Sequence, residues 1–349
     1  MSLFRPAIES MSGYTPGEQP QEAGFVKLNT NENPYPPSPA VLDALREWIG
    51  PKLRLYPDPL ASAVRERAAR RHGVTPDRVL VGNGSDDLLT IVMRSFVDPG
   101  QAVAYATPTY SLYGVLAGIQ GGVLRTAPYT REFTLPEALF APGAAVTLVA
   151  SPNSPSGTVT PIAELRRLAR AVSGVLVVDE AYVDFAETDC MSLASEAENV
   201  IVLRSFSKSF ALCGLRLGYA VASRALIAGM MKVKDSYNVN RLAAVAGAAA
   251  LDDMGWMRSS AEKVKATRRR LTEALEGMGW FVYPSQANFV LARAPGSVSA
   301  KAVYEGLKAK KVLVRYFAQP MIDDCLRISV GTDEEIDTLL RRMKELAAG

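Results

Sequence analysis

Short apolar runs alternate with stretches of helical periodicity through roughly the first two thirds of the chain. The six runs are residues 78–82, 102–106, 146–150, 175–179, 200–204 and 217–222. They are continuous rather than alternating, which is typical of strands that are covered on both faces. Residues 86–96 and 162–171, which lie between runs, have the apolar spacing of amphipathic helices. This alternation predicts an α/β core with a mostly parallel sheet flanked by helices.

The pattern changes after about residue 252. A long charged helix is predicted over residues 257–278, and shorter strands follow, such as residues 288–293 and 326–331. We therefore predict a large domain over residues 41–255 and a smaller α+β domain built from residues 1–40 and 256–349. The basic cluster at residues 267–270 is interpreted as a solvated helix face.

Composition limits the partners and the compartment. The 349 residues are 48% hydrophobic and 21% charged, with a net charge of +3 that is spread along the chain, so we expect no nucleic-acid partner. Neither a signal segment nor an apolar run of about 20 residues is present, so we expect a cytoplasmic protein without membrane contact. Three cysteines without a CxxC pair are expected to be free thiols.

The single histidine excludes much chemistry. His72 precedes Gly73, so we expect it in the last turn of a helix that a glycine ends. One histidine cannot form a histidine-rich metal site, and we predict no metal. A Ser-His or Cys-His mechanism would depend on that one ring. Catalysis must therefore use amines, carboxylates, phenols or a cofactor.

Polar residues follow four of the six apolar runs. Ligands of open parallel sheets bind beyond the carboxyl ends of the strands. The segments at those ends read "GNGSDD", "SPNSPSG", "DEAY" and "SFSK". Together they predict one site that contains Ser85, Asn153, Asp179, Tyr182, Ser205, Ser207 and Lys208.

The chemistry of these groups indicates the ligand. A buried Asp179 carboxylate needs a cationic partner, and a protonated pyridine nitrogen would suit it. Lys208 becomes a nucleophile only if its pKa is lowered, as in a Schiff base. Gly84, Ser85 and Asp86 open a predicted helix, whose free N–H groups favour a phosphate.

The remaining groups match other parts of the same ligand. Ser205, Ser207 and Arg216 would complete the phosphate site with hydroxyl groups and a guanidinium. The amide of Asn153 and the phenol of Tyr182 would donate to a phenolate oxygen, and Tyr110 would stack on a ring. Pyridoxal 5'-phosphate presents all of these partners on one small molecule, so we predict it as the cofactor.

Each residue taken alone has a simpler interpretation. A lysine after a strand is usually a surface residue, and an aspartate or serine there is usually a helix cap or turn residue. A lone tyrosine is usually part of a core. The cofactor is favoured because all of these residues fall on one predicted edge of the sheet.

Nine motifs spread over nearly the whole chain carry a resemblance to a known family. They are "KLNTNENPYPPSP", "YPDP", "GNGSDDLL", "ATPTYSLY", "SPNSPSGT", "VVDEAYVDF", "SFSKSFALCGLRLGY", "SYNVNRLA" and "LRISVGT". The sequence resembles the fold-type I pyridoxal phosphate-dependent aminotransferases, and most closely their histidinol-phosphate aminotransferase group. The resemblance implies the fold-type I architecture, with a large cofactor-binding domain and a smaller domain that closes over the substrate.

The resemblance also implies roles for single residues. Lys208 would be the Schiff-base lysine and proton shuttle, and Asp179 would pair with the pyridine nitrogen. Asn153 and Tyr182 would contact the phenolate oxygen. The contacts implied for the phosphate and for the ring face are Gly84, Ser85, Asp86, Ser205, Ser207, Arg216 and Tyr110. Tyr56 would reach the cofactor of the other subunit, so a homodimer is expected.

The same resemblance implies the substrates. Arg327 matches the family's anchor for the substrate carboxylate, and a guanidinium reads a carboxylate or phosphate through two parallel hydrogen bonds. Further expected pocket residues are Arg315, Tyr14, Asn31 and, from the partner subunit, Tyr237. The implied reaction moves the amino group of L-glutamate to imidazole-acetol phosphate, reversibly forming L-histidinol phosphate and 2-oxoglutarate in histidine biosynthesis.

Two departures leave alternatives open. Arg241 stands where a small or polar residue is expected after "NVN", and the short chain implies trimmed loops. An aromatic amino acid aminotransferase or a threonine-phosphate decarboxylase of the same fold remains possible, as does a regulator that has lost turnover. A nucleotide-binding dehydrogenase is disfavoured, because "GNGSDD" lacks the GxGxxG spacing.

Overall fold

The computed structural model describes residues 2–348, and its strands form three sheets. The strands are β1 (Val26–Lys27), β2 (Val79–Gly82), β3 (Ala102–Thr107), β4 (Val123–Pro128), β5 (Ala144–Ala150), β6 (Val175–Asp179), β7 (Val200–Ser205), β8 (Gly218–Val221), β9 (Phe281–Val282), β10 (Phe289–Arg293), β11 (Val312–Leu313), β12 (Arg315–Tyr316) and β13 (Cys325–Ser329).

The α-helices of the same residues pack around these sheets. They are α1 (Pro6–Ser10), α2 (Pro39–Trp48), α3 (Ser62–His72), α4 (Ser85–Phe96), α5 (Leu112–Gln120), α6 (Ile162–Ala171), α7 (Leu193–Glu196), α8 (Arg224–Met230), α9 (Arg241–Asp252), α10 (Met254–Gly277), α11 (Ala300–Ala309) and α12 (Asp333–Ala348). The helix predicted over residues 162–171 has the bounds of α6. The helix predicted over residues 257–278 begins earlier, at Met254.

The large sheet has seven strands in the order β2-β8-β7-β6-β5-β3-β4. Strand β8 is antiparallel to its neighbours β2 and β7, and the other pairs are parallel. The predicted α/β core with a mostly parallel sheet is confirmed. The edge strand β4 was not predicted, because its residues are mostly exposed and form no continuous apolar run.

Successive residues of the central strands enter two different hydrophobic cores. In β7, Val200 and Val202 face the core that contains α3, α6 and α9, whereas Ile201 and Leu203 face the core under α4 and α5. Both faces of the sheet are therefore dry, which explains why the central strands are almost continuously apolar before their carboxyl ends. Their carboxyl ends emerge together at one edge.

A smaller unit has its own core and its own sheet. Strands β12, β13, β10 and β9 form an antiparallel sheet, and β1 pairs in parallel with β11. Its core includes Leu28, Trp280, Val290, Ile328 and Leu339. This arrangement brings the early segment that carries β1 together with the last third of the chain.

The domain bounds given above remain a prediction, and the two terminal residues they include, Met1 and Gly349, lie outside the described residues. The first helix, α1, lies against α5 of the larger unit, where Arg5 Nη2 donates to the Ile119 carbonyl oxygen at 2.9 Å. In residues 2–348 no helix is both long and apolar enough to cross a membrane.

Helix α3 ends as predicted. Gly73 follows His72 with a φ of 64°, in the left-handed region that favours glycine. The His72 ring lies 2.8 Å from the Tyr219 hydroxyl group, and burial and the charges of Arg204 and Arg71 lower its pKa to about 3. Cys190, Cys213 and Cys325 are free thiols.

Candidate active site

A cavity of about 390 Å³ lies at the carboxyl ends of the central strands, where residues of the smaller unit close one side. It brings together most of the predicted site residues. Those that line it are Tyr14, Asn31, Ser85, Asp86, Tyr110, Asp179, Tyr182, Ser205, Ser207, Lys208, Arg216, Arg315 and Arg327. Gly84, Asn153, Tyr56 and Tyr237 are not part of its wall.

Asp179 ends β6 and is buried at the floor of the cavity. Its Oδ2 accepts a hydrogen bond from the Tyr113 hydroxyl group at 2.8 Å, and its Oδ1 accepts one from the Ala181 N–H at 3.2 Å. Burial raises the pKa of Asp179 to about 6, although both hydrogen bonds oppose the rise. Within residues 2–348 no cation lies at ion-pair distance from this carboxylate.

Lys208 lies in the loop after β7. This strand is the neighbour of β6, which ends with Asp179, in the large sheet. Its Nζ donates to the Thr30 carbonyl oxygen at 3.4 Å and lies 5.6 Å from the centre of the Tyr182 ring. The described part of the chain offers it no carboxylate partner. An amine and an acid thus approach one cavity from the ends of adjacent strands.

The N-terminus of α4 forms one wall of the cavity. The helix begins at Ser85, and Gly84 precedes it with a φ of 88° and no side-chain cap, which leaves the first N–H groups available. A Cβ atom at Gly84 would lie 2.9 Å from Nη2 of Arg216. This position therefore needs glycine both for its backbone conformation and for the close approach of the guanidinium.

Hydroxyl groups and a guanidinium complete this wall. Arg216 Nη2 lies 3.0 Å from Asp86 Oδ2, and its Nη1 lies 3.4 Å from Ser207 Oγ. The Ser207 N–H in turn donates to Ser205 Oγ at 3.1 Å. Backbone N–H groups, two hydroxyl groups and one guanidinium at a helix N-terminus are the groups that bind phosphate in proteins.

Tyr182 and Asn31 connect the two units across the cavity. The Asn31 amide donates to the Tyr182 hydroxyl oxygen at 3.1 Å. Asn31 adopts a φ of 57°, and its backbone N–H and side-chain oxygen both bind Ser329 Oγ, at 2.8 and 3.0 Å. The phenol of Tyr182 is thereby held at the boundary between the larger and the smaller unit.

Tyr110 covers another side of the cavity. Its hydroxyl group donates to Asp86 Oδ1 at 3.1 Å. The Tyr14 ring packs edge-on against the Tyr110 ring, with 5.8 Å between ring centres. The early segment of the chain therefore contacts the residue that was predicted to stack on the cofactor.

Asn153 lies behind the cavity wall rather than in it. Its Oδ1 accepts a hydrogen bond from Thr109 Oγ1 at 2.7 Å, and its Nδ2 donates to Ser156 Oγ at 3.0 Å and to the Pro108 carbonyl oxygen at 3.3 Å. The loops after β3 and β5 thus satisfy the amide between them. Its predicted contact with a phenolate oxygen remains a prediction.

Arg327 and Arg315 come from paired positions of β13 and β12. Arg327 Nη1 donates to Ser154 Oγ at 3.1 Å and Nη2 to the Asn29 carbonyl oxygen at 2.9 Å, while its buried Nε has no hydrogen-bond partner. Burial lowers the pKa of Arg327, and Arg315 lowers it further. Within residues 2–348 neither guanidinium has a carboxylate partner, so the pair can bind an anion.

Tyr56 and Tyr237 lie on the surface, outside the cavity. Their rings stack at 4.6 Å, and 77% of Tyr56 and 46% of Tyr237 are exposed. Arg241 donates to the carbonyl oxygens of Tyr56 and, at 3.3 Å, Leu55, and its guanidinium lies over the Trp48 ring at 5.2 Å. The unexpected arginine after "NVN" therefore supports the backbone that presents Tyr56.

An ion-pair network that was not predicted lies behind the site. Arg204, buried at the end of β7, pairs with Glu180 at 2.7 Å and with Asp189 at 3.0 Å. Asp184 accepts a hydrogen bond from Ser209 Oγ at 2.6 Å and lies 3.5 Å from Arg204. The network connects the residue after Asp179 to the residue after Lys208, and it holds the loops of both strands in place.

Two further contacts were also missed. Tyr113 stands three residues after Tyr110 in the quoted motif "ATPTYSLY", in the first turn of α5, so a second tyrosine beside the predicted ring contact was an available signal. The contact of Lys208 with Thr30 uses a backbone carbonyl oxygen, for which a sequence carries no side-chain signal. In the described part of the chain no group of three or more His, Cys, Asp or Glu side chains is arranged to hold a metal ion.

The fold and the cavity define a fold-type I transferase, with a lysine and an aspartate at the ends of neighbouring strands. The model of the family "Aminotransferase class I and II" matches residues 23–343. The chain belongs to this family, and the expected membership is confirmed.

Relatives agree over the full length. The chain is 48% identical over 347 residues to histidinol-phosphate aminotransferase 1 of Trichormus variabilis, with 99% of both chains covered. It is 47% identical over 347 residues to histidinol-phosphate aminotransferase 1 of a Nostoc species, covering 99% of this chain and 98% of that one. A crystal structure of histidinol-phosphate aminotransferase from Sinorhizobium meliloti in complex with pyridoxal-5'-phosphate matches with a TM-score of 0.89, 26% identity and 99% of both chains covered.

Proposed function

We propose that this chain is a pyridoxal phosphate-dependent aminotransferase that moves the amino group of L-glutamate to imidazole-acetol phosphate, reversibly forming L-histidinol phosphate and 2-oxoglutarate. The observation that carries the proposal is the joint placement of Lys208 and Asp179 in one cavity beside an anion-binding helix N-terminus. The choice of substrate rests on two full-length relatives that are named for this activity and are 48% and 47% identical to the chain.

The residues fit pyridoxal phosphate. Asp179 is a buried carboxylate with a raised pKa and no cation within the described residues, so it suits a protonated ring nitrogen. The uncapped start of α4, with Ser205, Ser207 and Arg216 beside it, suits the phosphate. The Lys208 amine lies in the same cavity and can bond the aldehyde carbon.

The cofactor, when bound, supplies an electron sink for the charge that remains on the substrate carbon once its proton is removed. Lys208 Nζ would take that proton as a general base and, as a general acid, deliver it to the carbon on the other side of the substrate nitrogen. Asp179 would hold positive charge on the ring nitrogen. Tyr182 would donate to the phenolate oxygen, and Tyr110 would cover the ring face. Asn153 would join Tyr182 only by exchanging one of the hydrogen bonds that its amide donates behind the cavity wall.

The second domain supplies substrate recognition. Arg327, whose Nε has no partner and whose neighbour is Arg315, binds the phosphate of histidinol phosphate in one half-reaction and the carboxylate of glutamate in the other. Tyr14 and Asn31 line the remaining wall. A carboxylate and a phosphate each present two oxygen atoms that a guanidinium can contact through two parallel hydrogen bonds.

The functional unit is a homodimer in which Tyr56 reaches the partner's cofactor phosphate and Tyr237 the partner's substrate. Support comes from the exposed apolar side chains near these residues, namely Ile49, Leu53, Leu55, Tyr56 and Tyr237. An exposed apolar cluster of this kind is typical of an interface. The site of action is the cytoplasm, a reducing compartment that suits three free thiols.

Absorbance spectroscopy tests the proposal. The purified protein loaded with pyridoxal phosphate should show a visible band, and L-histidinol phosphate without 2-oxoglutarate should convert it to the shorter-wavelength band of the pyridoxamine form. Phenylalanine in place of L-histidinol phosphate is the matched control and should react at least about tenfold less efficiently, since its phenyl ring lacks the hydrogen-bonding nitrogens of imidazole and its carboxylate is smaller than a phosphate. An equal or greater efficiency with phenylalanine would instead support an aromatic aminotransferase.

Two other outcomes would contradict the proposal. Release of carbon dioxide from threonine phosphate would indicate a decarboxylase of the same fold. A colourless protein that cannot be loaded with the cofactor would indicate a regulator without turnover. The presence of every predicted ring-contacting residue type in or beside one cavity argues against the regulator.

A further inference from the structure

Asp179 does not stand alone at the floor of the cavity. The Tyr113 hydroxyl group lies 2.8 Å from Asp179 Oδ2, and Tyr113 is completely buried in α5. Burial and the neighbouring carboxylate raise the pKa of Tyr113 well above its ordinary value. The phenol therefore keeps its proton and donates it in a hydrogen bond to the ionised carboxylate.

Aromatic packing determines the position of this phenol. The Tyr110 and Tyr105 rings both pack edge-on against the Tyr113 ring, with ring centres 5.6 and 5.9 Å away. These two rings support the Tyr113 ring in the orientation from which its hydroxyl group reaches Asp179. Tyr110, which lines the cavity, is thus connected through one ring to the carboxylate below it.

We propose that Tyr113 is a positioning residue, whose hydroxyl group keeps the Asp179 carboxylate ionised and aimed at the ring nitrogen of the bound cofactor. This inference rests on the proposed function, since it needs a cationic ring opposite Asp179. A carboxylate that lacks the hydrogen bond is more basic and draws the proton from the ring nitrogen toward itself. The ring then carries less positive charge and is a weaker electron sink.

The other groups around this pair are few. Asp179 is also faced by the Ala181 N–H, which stabilises its ionised form, and by Asp86 of α4, which disfavours it. Tyr113 is also faced by the neutral phenols of Tyr129 and Tyr110. Among the described residues, the Tyr113 hydroxyl group is thus the side-chain donor that opposes the rise in the pKa of Asp179 caused by burial.

The first test uses the cofactor-free protein. A carbon-13 NMR titration of labelled aspartate carboxyl groups, with the Asp179 signal assigned by its loss in Asp179→Asn, gives the pH midpoint of Asp179. Tyr113→Phe should raise this midpoint by about one pH unit, because a hydrogen bond to a charged group contributes at least that much. The matched control, Tyr105→Phe, removes a hydroxyl group from a ring packed on Tyr113 and should leave the midpoint unchanged.

The second test uses the loaded enzyme. Tyr113→Phe should lower kcat roughly tenfold, the effect of about one such hydrogen bond, and leave KM for the amino donor unchanged. The pH midpoint of the visible cofactor band should rise, since a less positive ring makes the nitrogen of Lys208 more basic. A merely structural role for Tyr113 would not move this midpoint.

Equal Asp179 midpoints in folded wild-type and Tyr113→Phe protein would overturn the inference. If Tyr113→Phe does not fold, 3-fluorotyrosine at position 113 keeps the ring and offers a more acidic donor, so it should lower the midpoint, and an unchanged midpoint would again overturn it. Failure of the proposed function can be told apart from failure of this inference. In that case the wild-type protein would not turn over histidinol phosphate, whatever the two Asp179 midpoints are.

Discussion

Arg315 and Arg327 stand directly opposite each other on two antiparallel strands, and both line the same cavity. Neither guanidinium group has a carboxylate partner in the described residues. The site they form is therefore more stable with a bound anion than without one. Arg327 is half-buried and its Nε has no hydrogen-bond partner, so its charge costs stability until a carboxylate or phosphate arrives. Arg327 should therefore lower the stability of the substrate-free protein and raise its affinity for the substrate anion.

Replacement of Arg327 with methionine tests both effects. We expect kcat/KM for L-histidinol phosphate to fall about 10²-fold or more, since a buried charged contact contributes about 2–5 kcal/mol. The melting temperature without anions should stay equal or rise. With the cofactor bound, so that the site at the start of α4 is filled, inorganic phosphate should raise the melting temperature of the wild type but not of the variant. The surface substitution Arg94→Met is the control, and a variant that keeps its native KM would disprove the anchor role.

Lys208→Ala removes the amine from the cavity. Turnover should fall by about 10⁴-fold or more, because both proton transfer and covalent attachment of the cofactor are lost. The visible absorbance band of the bound cofactor should disappear. Steady-state kinetics and a spectrum measure the two effects, with the exposed Lys232→Ala as control. Near-native turnover of Lys208→Ala would refute the lysine's role.

Asp179→Asn should stabilise the cofactor-free protein while it impairs catalysis. Burial raises the pKa of Asp179 from 3.8 to about 6, so the native protein binds this proton more tightly than the unfolded chain. Stability is therefore lost as pH rises from about 4 through 6, and at pH 7.5 the ionised carboxylate costs about 3 kcal/mol.

Urea unfolding measures this effect. The asparagine variant should be about 2–3 kcal/mol more stable than the wild type at pH 7.5 and nearly equal to it at pH 4. Asp98→Asn, which changes an exposed carboxylate, should show no such difference. A stability difference that does not change with pH would contradict the expected titration.

His72→Gln should remove one pH-dependent contribution to stability. Burial lowers the pKa of His72 from 6.5 to about 3, so below pH 6.5 the unfolded chain binds a proton that the native protein does not. Wild-type stability is therefore lost as pH falls, by about 2 kcal/mol at pH 5. Denaturant unfolding at pH 8 and pH 5 should show that the variant loses less stability than the wild type. His72 is the single histidine, so no other imidazole contributes.

Arg241→Met should loosen the segment that carries Tyr56. The variant keeps an apolar stem over Trp48 but loses the hydrogen bonds to two carbonyl oxygens. Hydrogen exchange at residues 51–60 should become faster, and Arg241→Lys should restore protection in part. If the dimer forms as proposed, the variant should also bind the cofactor more weakly. Unchanged exchange in this segment would show that Arg241 does not hold it.

Much of the central sheet was predictable because its strands are buried on both faces. Each such strand is almost continuously apolar, and a polar residue at or just beyond its end is then conspicuous, as with Asp179 at the end of β6 and Lys208 in the loop after β7. The edge strand β4 was missed for the same reason, since an exposed strand has no need of a continuous apolar run.

The partners of these residues were harder to predict because they are distant in the chain. Glu180 and Arg204 meet only because β6 and β7 are neighbours with a particular register. The amide of Asn153 could have pointed into the cavity or away from it, and its hydrogen bonds with Thr109 of the loop after β3 and Ser156 of its own loop turn it away.

The sequence alone therefore determined the α/β sheet, the edge where polar residues collect and the chemistry offered there. These follow from burial and residue type, which are local properties of the chain. Only the tertiary structure decided that Tyr113 donates to Asp179, that Arg315 stands beside Arg327 and that Arg241 supports Tyr56. Such contacts depend on strand register and side-chain packing between distant segments, which no local pattern encodes.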